Sequence, residues 1–189
     1  MLRPGDAAPA LQVQPVFGTQ IRLPPIQGQG ATLLLLVRRL GCPFAKESLA
    51  LAQEWFSEFD RLGVTVVAIT QSGIELARDF VPRHQLLFPL ATDPEGSVRE
   101  RYEIEHVGME KALMGALAAR GPHGVLNAVL AHRWLPGTDV QNRPHGQLPA
   151  EFLVSREGEL RYVHYAESIS DMPDMEALLA CATEGSEGC

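Results

Sequence analysis

Two short apolar runs, ATLLLLVR at residues 31–38 and GVTVVAIT at residues 63–70, constrain the fold of this chain more than any other feature. Both are apolar at nearly every position rather than at alternate ones, which is typical of strands buried on both faces. Between them, the apolar residues of segment 43–62 recur at helical spacing. This order predicts a parallel pair of strands joined by a crossover helix.

The following segments continue the alternation of predicted strands and helices. Ser72 and Glu75 form a capping-box pattern that predicts the start of a second helix. A third short strand is expected at residues 88–92. Asp93 and Pro94 then have the residue types of a helix cap and a first helical turn.

Two hairpins complete the predicted sheet structure. Residues 11–23 alternate apolar and polar side chains around a glycine, and residues 151–165 do the same around a Glu-Gly pair. We therefore expect one α/β domain over residues 1–183, with a helical insertion at about 104–146. Residues 184–189 are polar and are expected to form a mobile tail.

Composition narrows the class of partner. The chain has 189 residues and a formal net charge of −7, which argues against nucleic acid or an anionic membrane as the main partner. No apolar run approaches the ~20 residues of a membrane span, and the N-terminus lacks a secretory signal pattern, so a cytoplasmic location is expected. The four histidines between residues 106 and 145 do not have zinc-ligand spacing, so no metal is expected.

Cys42 stands where the first buried strand gives way to the first helix. A helix N-terminus presents free N–H groups and about half a positive charge, both of which favour a thiolate. Arg38 or Arg39 just before it, and Lys46 one turn later, add positive charge. Such surroundings lower a thiol pKa from about 8.5 to about 3.5–7.5. Position alone therefore makes Cys42 a candidate nucleophile toward peroxide or disulfide.

The alternative interpretation of Cys42 is a buried structural cysteine, since free cysteine is among the most buried residue types. Gly41 and Pro43 argue against it, because they mark a tight turn followed by the first turn of a helix.

Several motifs together resemble the alkyl hydroperoxide reductase C / thiol-specific antioxidant superfamily. They are GDAAPAL near the N-terminus, LLLLVRRLGCPF, VVAITQS, FPLATDPEG and QLPAEFLVSREGELRYVHYAES. The similarity covers about residues 4–180 and is greatest to the peroxiredoxin-like branch.

The resemblance implies a thioredoxin-like three-layer α/β/α sandwich with a central mixed sheet. It implies a redox-active thiol at Cys42 in a pocket formed by Gly41, Pro43, Phe44 and Pro149, with no cofactor. It also implies a cis peptide bond before Pro149, which from the residues alone is an ordinary proline at the start of a strand.

The chain departs from the family pattern at three positions. Typical peroxiredoxins have a Thr or Ser three residues before the reactive cysteine and a Pro four residues before that, where this chain has Arg39 and Leu35. Arg39 is therefore a candidate to stabilise both the thiolate and the departing oxygen, or else it is a solvated arginine at a strand end. Ala45 occupies the position of the second cysteine of a Cys-x-x-Cys pair. It is either the native residue or a replacement for a native cysteine.

A sulfenic acid on Cys42 needs a second thiol to resolve it. Cys181 and Cys189 are the candidates within the chain, although Cys181 also fits a buried core residue and Cys189 an idle terminal thiol. An external thiol or a thioredoxin-like reductant is the more economical expectation.

Three functions follow for the same fold. The first is a peroxiredoxin-like antioxidant oxidoreductase that reduces hydroperoxides through a sulfenic acid at Cys42. The second is a disulfide- or carbonyl-type reductase without peroxidase activity, and the third is a non-catalytic redox-sensing or binding module. The insertion is a lid over Cys42, a homodimer contact or a plain pair of surface helices.

Overall fold

The two apolar runs form the centre of a five-stranded sheet. The computed structural model describes residues 1–25, 30–131 and 148–183. Its strands are β1 (Leu11–Val13), β2 (Ile21–Leu23), β3 (Thr32–Val37), β4 (Thr65–Thr70), β5 (Leu90–Thr92), β6 (Ala150–Val154) and β7 (Leu160–Tyr165). Its helices are α1 (Pro43–Glu54), α2 (Phe56–Arg61), α3 (Ile74–Arg83), α4 (Ser97–Arg101), α5 (Met109–Ala131) and α6 (Met175–Thr183).

The sheet is mixed, with the strand order β5-β4-β3-β6-β7. β3 pairs in parallel with β4, and β4 with β5, so each step needs a crossover, which α1 with α2 and then α3 supply. β6 is antiparallel to both β3 and β7. The predicted parallel unit and the predicted 151–165 hairpin are both confirmed.

Alternation along β3 divides the core into two layers. Leu33 and Leu35 face one side of the sheet, where α1, α2, α3 and α6 pack. Leu34 and Leu36 face the other side, which the N-terminal hairpin and α4 cover. The protein therefore has helices on both faces of a mixed sheet, as expected from the sequence.

The N-terminal segment protects both edges of the sheet. Ala7 forms a bridge with Glu159 beside β7, and Pro15 forms one with Ala91 in β5. The amide of Val16 also donates to the carbonyl of the β5 residue Leu90 over 2.8 Å. The hairpin of β1 and β2 is antiparallel, as predicted, and forms its own two-stranded sheet.

The predicted helical insertion is present as α5, a helix with a break. Gly121 has φ +67° and ψ 170°, and Pro122 follows it, so the helix changes direction there. Residues 132–146 of the predicted insertion and the predicted tail, residues 184–189, lie outside the described residues. Within the described ranges, no helix has the length and apolarity needed to cross a membrane.

Some helix boundaries differ from the predictions. The predicted 43–62 helix is interrupted at Trp55, where α1 ends and α2 begins. The predicted capping box is wrong, because α3 begins after Gly73 without a side-chain cap, and the Ser72 hydroxyl accepts from the distant amide of Leu40 instead. The predicted cap at Asp93 and first turn at Pro94 are wrong in position, because α4 starts at Ser97 with Gly96 as its N-cap. The Asp93 carboxylate instead accepts from the amides of Ser97 and Val98.

Candidate active site

Cys42 is the N-cap residue of α1, and Pro43 follows as the first helical residue, as predicted. The cysteine has extended backbone angles, φ −79° and ψ 127°, and its thiol is free and half-buried. No hydrogen bond runs from the helix amides to the side chain of Cys42. The helix terminus therefore acts on the sulfur through its dipole and not through a direct contact.

The direct contact with the sulfur comes from Arg38. Its Nη1 lies 3.1 Å from the Sγ of Cys42, and the arginine is only 8% exposed. A buried guanidinium at this distance is a permanent positive charge that stabilises the thiolate over the thiol. The sequence analysis named Arg38 and Arg39 together and favoured Arg39. Arg39 is half-buried, and its catalytic role stays a prediction.

The loop between β3 and α1 is held in place by the end of β4. The Thr70 hydroxyl donates to the Arg38 carbonyl over 2.8 Å, and the Ser72 hydroxyl accepts from the Leu40 amide over 2.8 Å. The Ser72 amide in turn donates to the Thr70 hydroxyl over 3.2 Å. Both hydroxyls are buried, so these bonds are protected from water and hold the loop that carries Cys42.

Arg99 is a site residue that the sequence analysis missed. It is fully buried in α4 and donates to the Val37 carbonyl over 2.6 Å and to the Leu148 carbonyl over 2.7 Å. It therefore clamps the end of β3, next to Arg38, to the segment before β6. Burial lowers the pKa of Arg99 to about 9, and the charge of Asp93 opposes that shift. Only the three-dimensional structure identifies its partners, which lie 62 and 49 residues away in the chain.

Lys46 adds a second basic group to the surroundings of the thiol. Partial burial lowers the pKa of Lys46, the charge of Cys42 opposes this, and the charge of Arg83 reinforces it. Lys46 thus interacts electrostatically with Cys42, as the sequence analysis expected, from one turn into α1.

An apolar cluster lies beside the thiol under α5. Cys42 packs at its border, and its fully buried members are Phe44, Ala112, Ala116, Ala128 and Ile169. Phe44 packs in this cluster with residues from both halves of α5, and its place in the wall of a pocket stays a prediction. The surroundings of Cys42 thus include both an apolar cluster and basic groups.

A salt bridge fixes α5 over the active-site helix. Nη1 of Arg120 lies 2.8 Å from both carboxylate oxygens of Glu47, and its guanidinium lies 5.5 Å from the centre of the Phe44 ring. Glu47 and Phe44 are both in the first turns of α1, and Arg120 directly precedes the break at Gly121. Of the three interpretations of the insertion, this contact favours a cover over the Cys42 region.

Pro149 lies directly before β6, at the position expected of a pocket residue. The expected cis bond before it is wrong, because the cis peptide bond of the described residues is Leu23–Pro24. Even before proline the trans form is favoured by about 0.5–1 kcal/mol. The backbone here is also fully engaged: the Leu148 carbonyl accepts from Arg99, and the Pro149 carbonyl accepts from the Ala166 amide.

Of the positions considered for a second thiol, the structure describes Ala45 and Cys181. Ala45 is 4% exposed and packs into the core between α1 and the sheet. Cys181 is buried in α6 and is disulfide-bonded, whereas Cys42 is a free thiol. Cys189 lies outside the described residues. A resolving role for Cys181 or Cys189 stays a prediction.

This arrangement defines a class of protein. A parallel strand–helix–strand unit, an antiparallel strand pair and a closing helix form a thioredoxin-like fold, and a free cysteine at the first helix N-terminus gives it the site of a thiol oxidoreductase. The model of the AhpC/TSA family matches residues 4–163, and the chain belongs to that family. The resemblance found in the sequence is thereby confirmed.

Individual relatives fall in two groups. The thiol-disulfide oxidoreductase ResA of Oceanobacillus iheyensis is 28% identical over 142 residues, which are 67% of this chain and 73% of the relative. The crystal structure of peroxidoxin BcpB from Mycobacterium tuberculosis has a TM-score of 0.68 at 14% identity, with 96% of this chain and 97% of that chain covered. A putative thiol:disulfide interchange protein DsbE from Chlorobium tepidum has a TM-score of 0.63 at 19% identity, with 96% and 99% covered. The two structures support the thioredoxin-like fold.

Proposed function

We propose that this protein is a one-cysteine thiol peroxidase that reduces organic hydroperoxides at Cys42. The observation that carries the proposal is the 3.1 Å contact between the buried guanidinium of Arg38 and the sulfur. The thiolate is the reactive form of cysteine, and a positive charge beside the sulfur interacts more favourably with the thiolate than with the thiol. The AhpC/TSA family membership supports the same chemistry.

The first half-reaction forms an S–O bond and breaks the O–O bond. The thiolate of Cys42 attacks the terminal oxygen of ROOH, the sulfur is oxidised to sulfenic acid, and the RO⁻ group leaves and takes a proton to become ROH. Arg38 stabilises the thiolate before the attack, and its positive charge beside the sulfur favours the departure of the negatively charged RO⁻ group. This contact replaces the hydroxyl group that is absent three residues before the cysteine.

The apolar cluster favours an organic substrate over hydrogen peroxide. Cys42 packs against the cluster that contains Phe44 and the alanines of α5, which offers hydrocarbon for an alkyl group to contact. The salt bridge between Arg120 and Glu47 keeps this cover on α1.

The second half-reaction uses an external reductant. One thiol molecule condenses with the sulfenic acid to a mixed disulfide and releases water, and a second thiol displaces Cys42 by exchange. Two features support an external thiol: Ala45 has no sulfur, and Cys181 is disulfide-bonded. A thioredoxin-like protein is one such reductant. An antioxidant role in the cytoplasm and a homodimer both stay predictions.

Intact-mass spectrometry after substoichiometric cumene hydroperoxide tests the proposal. We expect an adduct of about 16 Da, one oxygen atom, on Cys42 within seconds, which disappears when a small thiol is added. The C42S variant, with its other two cysteines intact, is the matched control. A protein that remains unmodified by excess hydroperoxide would rule out the peroxidase.

Thiol–disulfide exchange is the second candidate function. The similarity to the oxidoreductase ResA favours it, as does the arginine at the usual Thr or Ser position. Its signature is a mixed disulfide between Cys42 and an added disulfide, formed by a protein that does not consume hydroperoxide. The same mass measurement separates the two activities.

A further inference from the structure

Three titratable side chains in or just after strands β6 and β7 contact one another in series and take no part in the chemistry above. Glu151 in β6 is 1% exposed, and its Oε2 lies 2.6 Å from Nδ1 of His164 in β7. The other ring nitrogen of His164, Nε2, lies 3.3 Å from Oδ2 of Asp171. Asp171 is partly exposed, so one imidazole connects a carboxyl group inside the sheet with the surface.

The geometry holds His164 as an imidazolium. An imidazole can donate to carboxylates at both nitrogens only when both nitrogens are protonated. The hydrogen bond from His164 to the Glu151 carboxylate raises the pKa of His164, while partial burial acts in the opposite direction. Burial raises the pKa of Glu151, and the hydrogen bond with His164 opposes this. The pair is therefore a buried imidazolium–carboxylate with its negative end inside the protein.

The carboxyl end of this pair is linked electrostatically to the basic groups around the thiol. Glu151 interacts electrostatically with Arg99, and Arg99 interacts with Arg38, which contacts Cys42. Arg99 is also fixed by hydrogen bonds to the carbonyl groups of Val37, which is adjacent to Arg38 in the chain, and of Leu148, which lies just before β6.

Other elements around Glu151 contribute fewer charges. Tyr162 of β7 lies on the same side, and the charge of Glu151 contributes to its raised pKa, after burial. Leu35 of β3 is the cross-strand partner of Glu151 and is apolar. Lys46 of α1 interacts with Cys42 and Arg83, and Asp174, just before α6, acts on Tyr162.

We propose that Glu151, held ionised by His164, is a positioning residue for the Cys42 thiol: its negative charge offsets part of the positive charge of Arg99 and Arg38 and so sets the pH at which Cys42 ionises. The inference deepens the proposed function by naming what regulates its nucleophile. This inference can be tested without peroxide turnover, because the ionisation of a thiol can be measured separately from catalysis.

The test is the pH dependence of iodoacetamide alkylation at Cys42, followed by peptide mass spectrometry. E151Q keeps the shape and removes the buried negative charge, so we expect the alkylation midpoint to move to lower pH. A shift of about half a pH unit corresponds to about threefold faster alkylation below the midpoint. E159Q makes the same chemical change at an exposed glutamate on the same hairpin and should leave the curve where it is.

A variant of His164 tests the same interaction through the partner of Glu151. In H164N, Glu151 loses its cationic partner and takes up a proton, because a buried carboxylate without a partner is disfavoured. The midpoint should then move in the same direction as in E151Q, and the E151Q/H164N double variant should move no further than E151Q. An additive shift in the double variant would contradict the inference.

An alkylation midpoint that is unchanged in a folded E151Q, as judged by circular dichroism, overturns the proposal. If E151Q does not fold, the reciprocal measurement decides, because coupling between two sites acts equally in both directions. The NMR titration midpoint of His164 should fall in C42S, which lacks the thiolate, and an identical midpoint in both proteins also overturns the proposal. A shifted alkylation curve in a protein that does not react with hydroperoxide would refute the proposed peroxidase activity but would still support this inference.

Discussion

Replacing Arg38 with methionine removes the guanidinium that contacts the thiol while it keeps a long side chain in the same buried place. The contact is a hydrogen bond between charged partners at 3.1 Å, and Arg38 is shielded from solvent. Such bonds contribute about 1.5–3 kcal/mol. Since 1.36 kcal/mol displaces a titration by one unit, the alkylation midpoint of Cys42 should rise by about 1–2 pH units in R38M. Cys42 is half-buried, so we expect the lower end of that range.

The assay is the rate of iodoacetamide alkylation at Cys42 from pH 5 to pH 10, together with the rate of hydroperoxide consumption at pH 7. R38K keeps the charge but loses the planar set of donors, and it should give an intermediate midpoint. R39M is the matched control, because it makes the same change at the neighbouring residue.

Two results would refute the reasoning. One is an R38M curve that overlaps the curve of the unmodified protein, which would mean that the sulfur does not depend on this guanidinium. The other is a larger shift in R39M than in R38M, which would return the role to Arg39. Urea unfolding of each variant separates these outcomes from a loss of fold.

Three further predictions follow from the same region. T70V removes the hydroxyl that donates to the Arg38 carbonyl, and should cost about 1–3 kcal/mol of unfolding free energy in urea titrations and slow alkylation of Cys42. R99M removes both carbonyl contacts of a fully buried residue, and a loss of about 2 kcal/mol or more is expected in the same assay; equal stability would refute the clamp. The hydrogen bond to Glu151 raises the pKa of His164 in the folded state, so the contribution of this imidazolium to stability is present at pH 6, below the unfolded value of about 6.5, and is lost as pH rises through the folded-state pKa. Unfolding at pH 6 and pH 9 should show this decrease, and E151Q/H164N should reduce it.

The sheet and its helices follow from local patterns, which is why sequence analysis located them. The buried runs of β3 and β4 and the helical period of α1 each lie within one segment, and the turn glycine Gly158 has φ +89°, which only glycine adopts easily. Position also identified Cys42, because Pro43 marks the start of the helix.

The charged parts of the site could not be predicted in this way, because their partners are distant in the chain. Arg99 belongs to the sequence SVRER, which resembles a solvated short helix, and nothing local shows that its side chain turns inward to two strand ends. Ser72 was assigned to a helix cap because Glu75 follows at the right spacing, yet its hydroxyl is used by Leu40 across 32 residues. Arg38 and Arg39 are adjacent, and only the direction of the side chain distinguishes them.

The first sixteen residues have a consequence for how this protein can be handled. They run from β7, where the Gly5 and Ala8 amides bind strand or turn carbonyls, to β5, where the Val16 amide binds Leu90. A shortened variant that begins after residue 16 would present two unsatisfied rows of backbone groups, which are templates for pairing with another molecule. We expect such a variant to form soluble aggregates on a sizing column, and affinity tags or fluorophores are therefore better attached ahead of Gly5 than in place of this segment.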